Sequence, residues 1–290
     1  MIALGSDEIH GWLSGVKDAK QTWEGVVDAP VFQRCEAPTM VNTGSILNLP
    51  LVSYQGLQRS SRALQLVVDY YFPLHGLETA DYFACHGFLS LFSALIYQTD
   101  ERTELLQMNA AHEAAAEAGQ DLRTTVRGVL GALRLLDSRV EHELAAGARY
   151  VEMETRLLQA GSFSHDDLRE AMELRSADLR IMHRLVLRQL QRPEDEVLFG
   201  LCGPLEVMAE IRDDLYQYHE DQAAGKFNFF AMLQRLYGVA APDYLLREHE
   251  HYRRVFSERM DAAPAPLRER IAPAAKDAFD LSTLPCPPAT

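Results

Sequence analysis

The stretch FACHGFLSLFSALIYQ, residues 83 to 98, is apolar all the way round when wound as a helix, and so is VLFGLCGPLEVMAEI, residues 197 to 211. A helix with no polar face has to be enclosed by other helices, because apolar surface left in water is unfavourable on any side. Two such segments set an all-α expectation in which the rest of the chain wraps around them. Neither run reaches the ~18 uncharged apolar residues that a membrane span requires, so the enclosure has to be protein.

The remaining sequence can supply it. Apolar residues recur at helical spacing nearly throughout, and no stretch alternates as a strand does between turn signals. The spacing predicts helices at about 57–72, 79–99, 102–118, 121–145, 147–159, 165–191, 194–222, 228–237, 243–260 and 266–279. Residues 30–55, rich in Pro, Asn, Thr and Gly, form the main irregular stretch and separate a short N-terminal helix from the body. With no internal repeat, the expected architecture is one α-helical domain over 1–290, with residues 1–55 packed on the body.

Composition narrows the function classes. A chain of 290 residues, 47% hydrophobic, can bury a large core. Its net charge of -14 argues against binding nucleic acid, whose phosphates the whole field would repel. Cys35, Cys85, Cys202 and Cys286 are scattered with no CxxC or zinc spacing, so free thiols in a reducing compartment are expected. The start, MIALGSDEIHGW, has no basic region followed by an apolar one. The expectation is a cytoplasmic protein without a membrane span.

Both apolar runs lead into acid: the first into TDERTE (99–104), the second into EIRDDLYQYHED (210–221). Four residues of helix turn 400°, so Asp213, Gln217 and Asp221 share one stripe, and Asp100 and Glu104 share another. Carboxylate and amide oxygens in such a row suit a hard divalent cation such as Mg²⁺, which keeps several waters and bridges one or two carboxylates to substrate phosphates. A run like TDERTE, taken alone, is more often a solvated helix face. The second run is harder to explain that way. Acid near a helix C-terminus opposes the macrodipole, and like charges four residues apart repel, so a bound cation is expected to offset it.

These residues resemble the motifs of class I terpene synthases. Asp213-Asp214-Leu215-Tyr216-Gln217-Tyr218-His219-Glu220-Asp221 is similar to the family's second metal motif, with Asp213, Gln217 and Asp221 at its three ligand positions. Asp100-Glu101-Arg102-Thr103-Glu104 is similar to its first, aspartate-rich box. Between them, DDLREAMELRSADLR carries Arg175, Asp178 and Leu179 at the spacing of the family's diphosphate-sensing arginine, acidic linker and effector residue. Gln217 replaces a serine and Asp213 an asparagine, Glu220 stands where a basic residue is usual, and the family's C-terminal Arg-Tyr pair has no counterpart in FDLSTLPCPPAT.

The resemblance implies an isoprenoid synthase fold with a central cavity. It also implies an isoprenyl diphosphate (C15 or C20) as substrate, metal binding at Asp100, Glu101, Glu104, Asp213, Gln217 and Asp221, and three Mg²⁺ ions once diphosphate is bound. Arg175, with Lys226 and Arg235 as stand-ins for the missing pair, would hold the diphosphate. A homodimer is compatible with it. The carbocation left by ionisation needs non-nucleophilic walls, and aromatic faces provide them at about 0.5–2 kcal/mol each. Phe72, Phe83, Phe88, Phe92, Tyr97, Phe199 and Phe229 are the candidate rings, although a ring on a buried helix is usually plain core.

Of the histidines, His86 reads as a hydrogen-bonded core residue, His219 lies off the Asp213 stripe, and HEH at 249–251 reads as surface. Two other functions stay open: a chain-elongating or head-to-head prenyltransferase on the same scaffold, and a non-catalytic helical binding protein whose acid is simply solvated.

Overall fold

In the computed structural model the run at 83–98 lies inside one long helix, Thr79–Met108, and the run at 197–211 inside another, Glu196–Ala224. The structure describes residues 52–108, 123–159 and 161–279, all of them within the unit Pro50–Thr290. The predicted N-terminal helix, Cys35 and Cys286 lie outside these residues. Among the described residues there is no strand, and no helix is long and apolar enough to cross a membrane.

Along the chain the elements are α1 (Tyr54–Leu66), one π-helical turn (Val67–Tyr71), α2 (Phe72–His75), α3 (Thr79–Met108) and α4 (123–132). There follow α5 (Ser138–Gln159), α6 (His165–Arg175), α7 (Ala177–Gln189), α8 (Glu196–Ala224), α9 (Phe229–Tyr237), α10 (Ala241–Ala262) and α11 (Ala265–Phe279). The expected boundaries differ from these at several places: the predicted helix 57–72 contains the π-helical turn and runs on to His75, the predicted break at 146 is absent because α5 runs through it, and three further differences have a local cause. No breaker separates 99 from 102, so two predicted helices fuse into α3 and TDERTE sits within it instead of at its end. The predicted helix 121–145 breaks before Asp137, whose Oδ1 accepts the Arg139 and Val140 N–H groups at 3.0 and 2.9 Å and so starts α5. The predicted helix 165–191 divides at Ser176, whose hydroxyl bonds Glu210 at 3.2 Å, a side-chain bond of the kind that draws serine out of helix interiors.

Capping chemistry fixes the other ends. Ser164 and Asp167 form a reciprocal capping box at α6, and Asp195 accepts from Val197 and Leu198 N–H at α8. Gly225 closes α8 at φ +68°, a left-handed position that a side chain would strain.

The apolar faces collect into two clusters. One is built from α5, α6, α8, α9, α10 and α11 around Phe229 and Phe230, and the other from α1, α3, α4, α5 and α7 around Leu89, Leu130 and Leu185. α7 serves both packing and charge. Ile181 and Leu185 enter the second cluster, while Arg180 and Arg184, one turn apart, meet carboxylates from its neighbours. Arg180 bonds Glu143 of α5 and Glu206 of α8, both at 2.9 Å, and each of these acids is 5% exposed. Arg184 adds Glu194 and, at 3.4 Å, Glu143.

Within the apolar run 83–98 of α3, burial is concentrated in the second half. Leu89 and residues 92–96 are buried, but Phe83, Ala84, His86 and Gly87 are exposed. α1 covers that buried half by close approach: a Cβ on Gly56 would stand 2.8 Å from the Ala94 carbonyl oxygen, a backbone atom that cannot swing aside. Gly56→Ala is therefore expected to lose about 1–3 kcal/mol of stability by forcing the two helices apart. Urea denaturation measures it, and a loss under about 0.5 kcal/mol would contradict this packing.

Candidate functional site

A cavity of about 430 Å³ opens between α3, α4, α5, α7 and α8. Its apolar wall is the surface of the second core cluster: Phe92, Ile96, Val126, Leu144 and Ile181 belong to both. Its polar wall comes mostly from α8, where Glu210, Asp213, Gln217 and Asp221 follow one another at three- and four-residue steps along one face. Arg175 enters from the end of α6, Asp178 and Leu179 from the first turn of α7, and Lys226 and Phe227 from the turn after α8.

The structure thus brings Asp213, Gln217, Asp221, Arg175, Asp178, Leu179, Lys226, Phe92 and Tyr97 to one cavity. α3 presents Thr99 and Thr103 to it from within the TDERTE segment. The side chains of Asp100 and Glu104 lie outside the described residues, while Glu101 faces Arg59 at 3.8 Å and does not line the cavity.

Several expected positions are corrected. Arg235 donates to the Leu157 carbonyl and stacks over Phe163 at 5.0 Å, away from the cavity wall, because its face of α9 turns toward α5. Phe83 is 73% exposed. Phe72 packs edge-on to Tyr82, Phe88 stacks against Phe92 without lining the cavity itself, and Phe199 sits under Arg184 at 4.2 Å. Phe229 is buried, and its N–H is held by Asp214. These rings are core or surface, as helical spacing alone could not decide. His86 is exposed and not core, and His249 is buried and not surface. Cys85 and Cys202 are free and buried.

Glu210, Arg123, Tyr150, Glu154 and Phe227 also line the cavity, and no motif had singled them out. Tyr150 and Glu154 are one turn apart on α5 and hydrogen-bonded at 2.9 Å, a pairing visible in RYVEME only to a reader who already knew that this face meets α8.

Electrostatics explain the arrangement of α8. Arg175 places Nε on Glu210 at 3.0 Å and Nη1 on Asp214 at 2.8 Å. Burial works against the guanidinium charge, and the two carboxylates outweigh it, holding Arg175 firmly protonated. Burial likewise raises the proton affinity of Glu210, Asp214 and Asp221, Arg175 opposes the rise, and the neighbouring Asp213 charge adds to it at Glu210 and Asp221. Carboxylates crowded in this way are short of positive charge.

A hard cation fits that deficit. Among the described residues no three His, Cys, Asp or Glu side chains converge into a closed cage, but Mg²⁺ needs only one or two carboxylates, its remaining positions going to water and phosphate oxygen. Asp213, Gln217 and Asp221 could supply oxygens for it. Gln217 at present donates its Nε2 to Asp213 Oδ2 at 2.5 Å, and a half-turn of the amide presents Oε1 instead.

Asp178 illustrates the cost of this wall. Burial raises its pKa to about 6, partly offset by the Leu179 N–H at the start of α7. Because the folded state holds this proton more tightly than the unfolded chain, the stabilisation is full below about pH 4 and is lost as pH rises through 6. Asp178→Asn is therefore expected to gain on the order of 2 kcal/mol relative to the parent between pH 5 and pH 8. Parallel denaturation curves at the two pH values check the sign; an equal pH response in both proteins would contradict it.

No protein-family model, curated protein or solved structure matches the chain.

Proposed function

We propose that the protein is a class I terpene cyclase of isoprenoid synthase type, which ionises a linear C15 or C20 isoprenyl diphosphate and closes the resulting cation to a ring, the cyclic cation then losing a proton to give a hydrocarbon or adding water and losing a proton to give an alcohol. The observation that carries this reading is the convergence, in one cavity, of the Asp213–Gln217–Asp221 stripe, Arg175 with Asp178 and Leu179, and an apolar wall containing Phe92.

The wall chemistry matches the demands of the reaction. Ionisation breaks the allylic C–O bond, and both electrons leave with the diphosphate, so negative charge must be met at one side of the site and positive charge left in a dry space at the other. Asp213, Gln217 and Asp221 would hold Mg²⁺, which when bound supplies positive charge to the departing phosphate oxygens. Arg175 keeps its Nη2 group out of the bonds to Glu210 and Asp214, and that edge, with Lys226, would take the diphosphate. Leu179, which lines the cavity next to Asp178, would be the effector residue facing the reacting carbon. Phe92 and Tyr97 offer ring faces to the cation, and the aliphatic side chains around them exclude water until an alkene has attacked it.

Feeding C10, C15 and C20 allylic diphosphates singly with Mg²⁺, and analysing products by gas chromatography, tests the proposal. A cyclic product from one allylic diphosphate is expected. Turnover that waits for isopentenyl diphosphate would assign condensation instead, and no turnover of any of the three would remove the reading.

A further inference from the structure

Asn228 is fully buried where the turn after α8 meets α9. Each part of its amide is engaged. Oδ1 accepts the Ala231 N–H at 3.2 Å and caps α9, while Nδ2 donates to the Asp214 carbonyl at 2.7 Å and to Asp221 Oδ2 at 2.9 Å. The cap needs only an acceptor, and serine or aspartate would serve it as well. The amide donor is the part the cap does not explain, and it is spent on the last carboxylate of the α8 stripe. The same short turn returns the Lys226 N–H to the Asp221 carbonyl at 2.9 Å, so the segment carrying a cavity cation is tied at both ends to Asp221.

We propose that Asn228 is the positioning residue of the cation site, fixing Asp221 through Oδ2 so that Oδ1 is the oxygen offered to a divalent ion. This rests on the reading of Asp213, Gln217 and Asp221 as cation ligands. A carboxylate on the final turn of a helix has several rotamers, and a ligand that must be frozen on binding binds its ion more weakly; a partner outside the coordination sphere removes that freedom in advance. The two bonds from one NH₂ group also fix the carboxylate against the α8 backbone itself, since the second acceptor is the Asp214 carbonyl.

The test is Mn²⁺ binding in the presence of inorganic diphosphate, read by the electron paramagnetic resonance signal of free Mn²⁺ in the parent, Asn228→Ser and Asn228→Asp. Both substitutions keep a capping oxygen and both lose Nδ2; aspartate brings no donor, and the single hydroxyl proton of serine cannot serve the Asp214 carbonyl and Asp221 Oδ2 together. The expected result is unchanged helix content with Mn²⁺ affinity weakened about 10- to 100-fold in each, together with a matching rise in the metal concentration needed for half-maximal turnover. A folded serine variant that binds Mn²⁺ within twofold of the parent overturns the proposal, whatever happens to kcat, because a purely structural role would move stability and leave affinity alone. If the serine variant does not fold, the aspartate variant is read by the same criterion. Failure of the parent to bind Mn²⁺ would instead remove the cation-site reading, and this proposal with it.

Discussion

Arg180→Ala is expected to be the most destabilising single substitution in the cavity-side helices, losing about 3–5 kcal/mol. The reason lies in what it leaves behind. Glu143 and Glu206, from helices far apart in sequence, both face the Arg180 guanidinium at 2.9 Å, and Tyr71 adds its hydroxyl to Glu206 at 3.3 Å. Without the arginine, Glu206 keeps only the Tyr71 hydroxyl and Glu143 only the longer Arg184 contact at 3.4 Å, so each buried carboxylate must either stay charged in a poor dielectric with too little positive charge or take up a proton. Against a total stability of roughly 5–15 kcal/mol for a domain, that loss is severe. Adding Glu206→Gln and Glu143→Gln to Arg180→Met should recover much of it, since a buried ion cluster replaced as a unit leaves no orphan. Guanidinium denaturation of the single and triple variants measures both. A single-variant loss below about 1 kcal/mol would mean that the cluster is far more hydrated than the structure places it.

Arg175→Ala should combine two large effects. It strands Glu210 and Asp214 as Arg180→Ala strands its partners, so about 3 kcal/mol of stability should go with it. It should also remove measurable turnover, because the proposed reading gives this guanidinium the departing diphosphate. Arg175→Lys separates the two. A lysine keeps the charge and so restores much of the stability, yet it cannot fork between Glu210 and Asp214 while presenting a further edge to an anion. The expected lysine variant is folded and slower by at least about 10²-fold, the scale of losing one preorganised donor. A folded lysine variant with parental kcat would take Arg175 out of the site.

The double role proposed for Arg175 is not legible in the sequence, where Arg175 and Asp178 lie three residues apart on one predicted helix, 165–191. The chain breaks between them at Ser176, and Arg175 turns to α8 instead. The helical class itself was legible, because an unbroken apolar run such as 197–211 leaves few alternatives to a buried helix. So was the stripe of Asp213, Gln217 and Asp221, since four-residue spacing fixes a shared face whatever surrounds it. What that face meets is a different matter. Phe92 and Phe199 both sit on apolar helices leading to acid, yet one lines the cavity and the other lies beneath Arg184, and only the packing of α3 against α7 and α8 decides between them. The same limit hid Glu143 and Glu206, single acids whose partner sits on a third helix, and Asn228, which no motif singles out at the start of the predicted helix 228–237.

On the proposed reading, the α8 stripe, with Arg175 and Lys226, forms a site for a divalent cation and diphosphate together. The most direct measurement is the melting temperature of the parent and of Asp213→Asn/Asp221→Asn, each with Mg²⁺ alone, diphosphate alone and both. A site filled to ~100 times its dissociation constant adds about 2.7 kcal/mol to the native state, so the parent should melt several degrees higher with both ligands, well beyond the sum of each alone, and the double variant should not. A parent indifferent to the pair, or a double variant that responds equally, would contradict the account.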